Sequence, residues 1–105
     1  MTPIAPDIEA FLHEHLARHR GVSQHTCDSY AYSFQLLFEF AAKALKVSPS
    51  ELTLEKLDAT LIGAFLEYLE QTRRNSPDTR NVRLAAIRSF FRFLEYRHPA
   101  ALEQI

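Results

Sequence analysis

Apolar side chains recur at the spacing of an α-helix in four separate stretches of this chain, and that periodicity constrains the fold more than any other feature. A sheet of many strands needs glycine at its turns, whereas only Gly21 and Gly63 occur in the 105 residues. The segment 47–54 carries a proline and several cap formers, which indicates a connector with room for one short helical turn. We therefore predict one all-α domain, with helices at about residues 7–20, 24–46, 59–72 and 77–97.

Residues that begin or end helices stand at the borders of these stretches. Ser23 and Asp58 can each accept a hydrogen bond from a free amide of the first helical turn. Pro77 suits the first position of the last helix, where no backbone donor is lost. Gly21 is available to end the first helix, and Pro99 disfavours helical geometry at the residue before it.

Arginine is concentrated in the last third of the chain. Residues 71–105 hold seven arginines against three acidic residues, a balance of +4, whereas residues 1–70 hold five basic and ten acidic residues, a balance of −5. This asymmetry suits an anionic partner that docks on one side, such as nucleic acid. An arginine-rich helix surface is also a common solvated face, so charge alone leaves both interpretations open.

A Ser-x-x-Thr pattern opens two of the predicted helices, as Ser23 and Thr26 in the second and as Ser76 and Thr79 in the fourth. In each case the serine can cap the first turn, and the threonine hydroxyl lies about one turn into the helix, near the positive end of its dipole. Helix starts of this kind readily bind phosphate. Ordinary capping accounts for the same residues, so the pattern leaves both interpretations open.

The fourth helix combines an apolar face with a polar strip. At about 100° per residue, five side chains share one side of this helix: Asn81, Ala85, Arg88, Arg92 and Tyr96. The major groove of DNA admits a helix, and asparagine and arginine match the edges of adenine and guanine. The alternative is a solvated strip with intrahelical partners, such as Arg88 with Glu95.

The second helix has a poorer outer strip with little positive charge, formed by His25, Ser29, Tyr32, Leu36 and Lys43. Tyr32 and Leu36 could contact sugars, base methyl groups or a partner protein, or they could cover neighbouring helices.

Few other residues suggest chemistry. His15 and His19 stand four apart on the first predicted helix, but no third ligand accompanies them, so we predict no metal site. Cys27, the only cysteine, lies on the apolar side of the second helix and cannot form an intramolecular disulfide. The sequence contains no phosphate-binding glycine loop, no secretory signal and no membrane-spanning run. We expect a cytoplasmic protein that has no cofactor and no membrane partner.

Two motifs in the sequence resemble a known family. Gly21-Val-Ser23-Gln-His-Thr26, followed by Tyr30, resembles the G-x-S-x-x-T-x-x-x-Y start of the second helix in the core-binding, SAM-like domain of tyrosine recombinases, the phage integrase family. The segment 76–94, Ser-Pro-Asp-Thr-Arg-Asn-Val-Arg-Leu-Ala-Ala-Ile-Arg-Ser-Phe-Phe-Arg-Phe-Leu, is similar to the last helix of that domain. The resemblance covers about residues 8–98.

The resemblance implies an all-α, four-helix orthogonal bundle that forms half of a C-shaped clamp on double-stranded DNA. In such proteins the second and fourth helices face the major groove. The matching DNA-binding positions in this sequence are Ser23, Thr26, Thr79, Asn81, Arg83, Arg88 and Arg92. Family catalysis uses a tyrosine, arginine and histidine set in a C-terminal domain, so no catalytic residue and no enzyme activity are expected of this chain alone.

The resemblance also implies a domain organisation and partners. Residues 1–98 correspond to the core-binding domain, and residues 99–105 correspond to the start of a linker to the protein's own C-terminal catalytic domain. The full-length protein is expected to form a tetramer on paired DNA sites, and the isolated domain is expected to be monomeric. Family members often carry basic residues just after the tyrosine of the second helix, whereas Tyr30 is followed here by Ala-Tyr-Ser, so phosphate attraction through this helix should be weak.

The sequence leaves three functions open. The first is a DNA-binding module of a site-specific recombinase or integrase. The second is a helical protein-interaction module whose contact surface is the flank of Tyr32, Leu36 and Phe40 on the second helix. The third is a transcriptional regulator that uses the fourth helix as a recognition helix.

Overall fold

The described part of the chain forms four α-helices. The computed structural model describes residues 2–16 and 23–97, and within these residues the only β-type pairing is an isolated bridge between Pro3 and Thr53. The helices are α1 (Ala5–Ala10), α2 (Gln24–Leu45), α3 (Ala59–Gln71) and α4 (Pro77–Arg97). The predicted all-α fold is confirmed.

The first helix differs from its prediction in both start and geometry. It begins at Ala5 rather than residue 7, and it continues from Phe11 to Leu16 as a π-helix. Phe11 and Leu16 are both buried although they stand five residues apart. The wider π turn, with hydrogen bonds between residues five apart, brings both onto one face, which an α-helical turn would not do. The predicted end of this helix, with the stem of His19 and the glycine stop, lies outside the described residues.

Side-chain caps begin α2 and α3 where the sequence predicted them. The Ser23 hydroxyl accepts a hydrogen bond from the Thr26 amide at 3.1 Å, and an Asp58 carboxylate oxygen accepts one from the Leu61 amide at 2.9 Å. The helix α2 ends at Leu45, and the next residue, Lys46, has a left-handed φ of 57° that lets its amide bond back to the last turn. Local chemistry therefore determines these borders to within a residue or two.

Of the two interpretations left open for the flank of Tyr32, Leu36 and Phe40 on α2, the structure favours packing against a neighbouring helix. Leu36 is 7% exposed and belongs to the core. The ring of Phe40 lies 5.6 Å from that of Phe65 and 5.1 Å from that of Tyr68, so α3 covers this side of α2. Of these three residues only Tyr32 remains exposed. The helix α2 packs against several elements, so its buried face is wider than that of a helix with one neighbour.

The connector between α2 and α3 is part of the core. It contains two short 3₁₀ turns, Pro49–Glu51 and Leu54–Lys56, where one turn was predicted. Its leucines are almost fully buried: Leu52, Leu54 and Leu57. The chain near the N-terminus packs on this segment, and the Leu54 amide donates to the Thr2 carbonyl at 2.8 Å.

Aromatic rings join the π-helical turn that follows α1 to α2 and α4. Phe11 meets Phe34 edge to face at 5.9 Å and Phe90 at 5.5 Å, and Phe34 meets Phe90 at 5.3 Å. Each of these side chains is about 1% exposed. Aromatic pairs of this geometry contribute about 0.5–1.5 kcal/mol beyond the burial of their area. The cluster therefore fixes how the three helices pack.

The fourth helix spans Pro77–Arg97, as predicted. The role of Pro99 in ending it, and the predicted linker at 99–105, lie outside the described residues. In the part of the chain that the structure describes, no helix is both long and apolar enough to cross a membrane.

An ion pair ties the last turn of α4 to α1. The Arg97 Nε lies 3.0 Å from a carboxylate oxygen of Asp7, and the side-chain exposures are 40% and 3%. We expect Arg97→Ala to lower the free energy of unfolding by about 1–2 kcal/mol, because the buried carboxylate loses a charged donor whose worth is reduced by partial solvent exposure. Urea unfolding of both proteins measures this difference.

The matched control is Arg92→Ala, an exposed arginine of the same helix. It should change the free energy of unfolding by less than about 0.5 kcal/mol. Equal losses in the two variants would contradict a stabilising role for the pair.

Candidate nucleic-acid interface

The outward side of α4 carries the polar strip that the sequence predicted. All members of this α4 strip are exposed, and Tyr96 is 85% exposed. They are Asn81, Ala85, Arg88, Arg92 and Tyr96. Asn81, Ala85 and the two arginines also line one depression in the surface. The opposite side of α4 is buried through Ile87, Phe90 and Leu94. The helix therefore presents a continuous polar surface to solvent.

The two arginines of the α4 strip are free to meet an anion. Within residues 2–16 and 23–97, neither Arg88 nor Arg92 forms an ion pair or a side-chain hydrogen bond. The intrahelical pair of Arg88 with Glu95, considered from the sequence, is not formed. Guanidinium groups in this state keep all their donors for a carboxylate or a phosphate.

Two other arginines of the last third are paired with carboxylates. Arg80 pairs with Glu70 of α3, and Arg97 pairs with Asp7 of α1. Both pairs connect α4 to neighbouring helices. Among the exposed arginines of α4, Arg88 and Arg92 of the strip therefore differ from Arg97 in having no carboxylate partner within the described residues.

Both Ser-x-x-Thr patterns form helix caps. The Ser23 hydroxyl accepts from the Thr26 amide at 3.1 Å, and the Ser76 hydroxyl accepts from the Thr79 amide at 3.2 Å. In each pattern the two hydroxyl oxygens also lie 3.1 Å apart. Capping is thus established for both patterns, and a phosphate role for the threonine hydroxyls stays a prediction.

The start of α2 lies beside the middle of α4. Thr26 lines one depression together with Val82 and Ala85. It lines a second depression together with Ser89 and Arg92. The first turn of α2 and the α4 strip therefore border the same grooves, so one ligand could contact both.

Arg83 does not lie on the strip. It follows Asn81 by two residues, a rotation of about 200°, and it projects toward α2. Its Nη1 donates to the Ser33 hydroxyl at 2.9 Å and more weakly to the Ser29 carbonyl at 3.3 Å. Its guanidinium carbon lies 4.9 Å from the centre of the Tyr32 ring, a cation–π contact. Arg83 thus connects α4 to α2.

The structure separates the seven predicted DNA-binding residues into three groups. Asn81, Arg88 and Arg92 share the exposed strip, and Ser23 and Thr26 are at the adjacent start of α2. Thr79 precedes Asn81 by two residues, so it projects with Arg83 from the other side of α4 and is half-buried.

Sequence reasoning missed a cluster between α2, α4 and the turn that precedes α4. Arg73 donates a hydrogen bond to the Tyr32 hydroxyl at 3.2 Å, although the two residues are 41 apart in the chain. Helical periodicity contains no information on such a distant contact. The one local signal was Ser33, a serine within the apolar pattern of α2, which is fully buried and accepts the bond from Arg83.

His15, in the π-helical turn after α1, is exposed and contacts two aromatic rings. The His15 ring lies 5.8 Å from the Phe11 ring and 5.1 Å from the Phe93 ring. No group of three residues that could hold a metal ion occurs among the described residues, which do not include His19.

The contacts of Arg83 make it a stabilising residue. We expect Arg83→Ala to lower the free energy of unfolding by about 1–2 kcal/mol, because it removes hydrogen bonds to two serines and the packing of the arginine stem on Tyr32. Thermal or urea unfolding measures the effect. Arg88→Ala should change stability by less than about 0.5 kcal/mol, and a comparable loss in both variants would refute this assignment.

Comparisons with known proteins identify the class. The family model described as "Phage integrase, N-terminal SAM-like domain" matches residues 8–98. The chain is 42% identical over 102 residues to "Putative integrase/recombinase y4rC" of Sinorhizobium fredii, which covers 97% of this chain and 31% of that protein. It is 43% identical over 98 residues to "Putative integrase/recombinase y4rD" of the same organism, which covers 93% of this chain and 35% of that protein. No solved structure matches the chain.

The fold and the family model together define the protein class, a SAM-like helical domain of the integrase type. The chain belongs to the phage integrase N-terminal SAM-like domain family, so the resemblance found in the sequence is confirmed. It spans about a third of the length of the two relatives.

Proposed function

We propose that this chain is the DNA-binding N-terminal domain of a site-specific tyrosine recombinase, and that it clamps duplex DNA to position it for strand exchange by a catalytic domain of the same protein. The observation that carries the proposal is the exposed α4 strip, in which Arg88 and Arg92 have no partner within the described residues. In a domain of the integrase family, such a surface fits the phosphates and base edges of DNA.

The dimensions of the strip support this function. Asn81 and Arg92 are eleven residues apart, which corresponds to about 16 Å along a helix. The major groove is about 12 Å wide, so a helix lying across it would place one end of the strip at base edges and the other near a phosphate. Asn81 matches adenine, and the arginines match guanine or a phosphate.

The domain organisation follows from the same proposal. Residues 1–98 are the DNA-binding domain, and residues 99–105 begin the linker to the C-terminal catalytic domain. The tyrosine, arginine and histidine that cut DNA would belong to that domain, so this chain has no enzyme activity of its own. The full-length protein acts in the cytoplasm as a tetramer on paired sites, and the isolated domain is a monomer that requires no cofactor.

The protein-interaction alternative lost its main support in the fold. Of its proposed contact residues, Leu36 is buried and Phe40 packs on α3. No specific observation favours the transcriptional regulator over the integrase domain.

Binding of this chain to duplex DNA tests the proposal directly. We expect an affinity that falls steeply with salt, because each phosphate contact releases condensed counterions. Arg88→Ala and Arg92→Ala should each reduce the slope of log K against log salt by about 0.9 if the side chain contacts a phosphate. Fluorescence anisotropy at several salt concentrations measures both quantities.

Arg80→Ala is the matched control, because it removes one positive charge from the same helix at a position already paired with Glu70. Its slope should remain that of the wild-type chain. If all three variants weaken binding equally, only net charge matters and the α4 strip is not the interface. If the wild-type chain does not bind duplex DNA at all, the proposed function is wrong.

The start of α2 gives a second test. Thr26→Val removes a hydroxyl but keeps the backbone amide that bonds to Ser23, so stability should change by less than about 0.5 kcal/mol. We expect DNA affinity to fall by about tenfold to a hundredfold, the worth of one hydrogen bond to a charged group. An unchanged affinity in the same anisotropy assay would show that the Thr26 hydroxyl does not contact DNA and that Thr26 serves only the helix cap.

A further inference from the structure

A positively charged side chain in the seam between α2 and α4 has only neutral partners. Arg83 donates to Ser33 and to the Ser29 carbonyl, and its Nε is buried without a partner in the described part of the chain. Charged groups that are removed from water are normally paired with an opposite charge. Arg83 has no such pair among the described residues.

A second arginine reaches the same place from the turn between α3 and α4. Arg73 donates to the Tyr32 hydroxyl at 3.2 Å, and the Arg83 guanidinium lies over the face of the same ring at 4.9 Å. One phenol therefore holds two guanidinium groups, one at its oxygen and one on its face. Like charges held this close repel each other.

An acidic residue lies close enough to Arg73 to affect its pKa but does not pair with it. A hydrogen bond to Tyr68 and the proximity of Tyr32 and Glu39 raise the pKa of Arg73, so its guanidinium stays charged. Glu39 nevertheless forms no ion pair with Arg73 within the described residues. The cluster of Tyr32, Arg73 and Arg83 thus carries two positive charges that form no ion pair among the described residues.

The tyrosine hydroxyl adds a third donor to this cluster. Its oxygen accepts from Arg73, which leaves its own proton available, and the Tyr32 side chain is 41% exposed. Arg73 is also exposed and has five donors, most of which are unused. Two guanidinium groups and a hydroxyl make a set of donors that suits a phosphate, which only accepts hydrogen bonds.

We propose that Tyr32, Arg73 and Arg83 form a second phosphate-binding site, which takes a phosphodiester of the DNA backbone beyond the α4 strip. The inference rests on the proposed function and extends it to a surface at the α3–α4 turn. Ser29, which Arg83 contacts, lines the same depression as Ala85 of the strip. The second site therefore adjoins, at Ser29, a depression that the strip also lines.

Variants of the two exposed residues test the site. Arg73→Ala should weaken duplex binding and reduce the salt slope by about 0.9, as expected for the loss of one phosphate contact. Tyr32→Phe removes one hydroxyl donor, so it should weaken binding. Because it keeps every charge, the salt slope should stay unchanged. Arg80→Ala, on the paired arginine, should leave the slope as it is. Urea unfolding verifies that each variant remains folded.

The outcomes separate this site from the proposed function. If Arg88→Ala lowers the slope and Arg73→Ala does not, the second site is wrong and the α4 strip stands. If the wild-type chain fails to bind duplex DNA, NMR titration with inorganic pyrophosphate tests whether the cluster binds a phosphate group at all. Shifts confined to the Arg73 side chain and the Tyr32 ring would then support an anion site for free phosphates, and their absence would overturn it.

Discussion

The edge-to-face packing of Phe11, Phe34 and Phe90 determines which side of α4 meets solvent. Phe90 points into the core from α4 and contacts α2 and the π-helical turn that follows α1. Arg88 and Arg92 stand two residues on either side of it, which turns each of them by about 200° to the outside. The orientation of the candidate interface is thus a consequence of aromatic packing on the opposite side of the same helix. A rotation of α4 that hid the arginines would also expose Phe90.

Arginine plays different parts on α4, and the partners of each side chain distinguish them. Arg80 meets a carboxylate of α3, Arg83 meets hydroxyl and carbonyl oxygens of α2, and Arg88 meets only solvent among the described residues. These residues are three to five apart, so they project in different directions around one helix. Counting charges over the last third of the sequence therefore overstates the number of arginines whose positive charge is free to meet a ligand.

Local chemistry made most of the fold predictable. The caps at Ser23 and Asp58, and the proline start of α4, are determined by neighbouring residues, and their prediction was correct. The sequence left the burial of Leu36 open, because it depends on α3 packing against α2 from far along the chain. The contacts of Arg83 could not be predicted either, because its partners lie on α2, far away in the sequence. The α4 strip, in contrast, follows from the periodicity of a single helix. The DNA contacts themselves stay a prediction.

The ion pair between Asp7 and Arg97 has a mechanical consequence. It joins the first helix of the domain to the final described turn of α4, and its carboxylate is shielded from water. A pull or a twist applied to the chain beyond residue 97 would be transmitted through this pair to α1 as well as along α4. The two ends of the folded unit would then move together, and the outward strip would turn with them as one rigid surface.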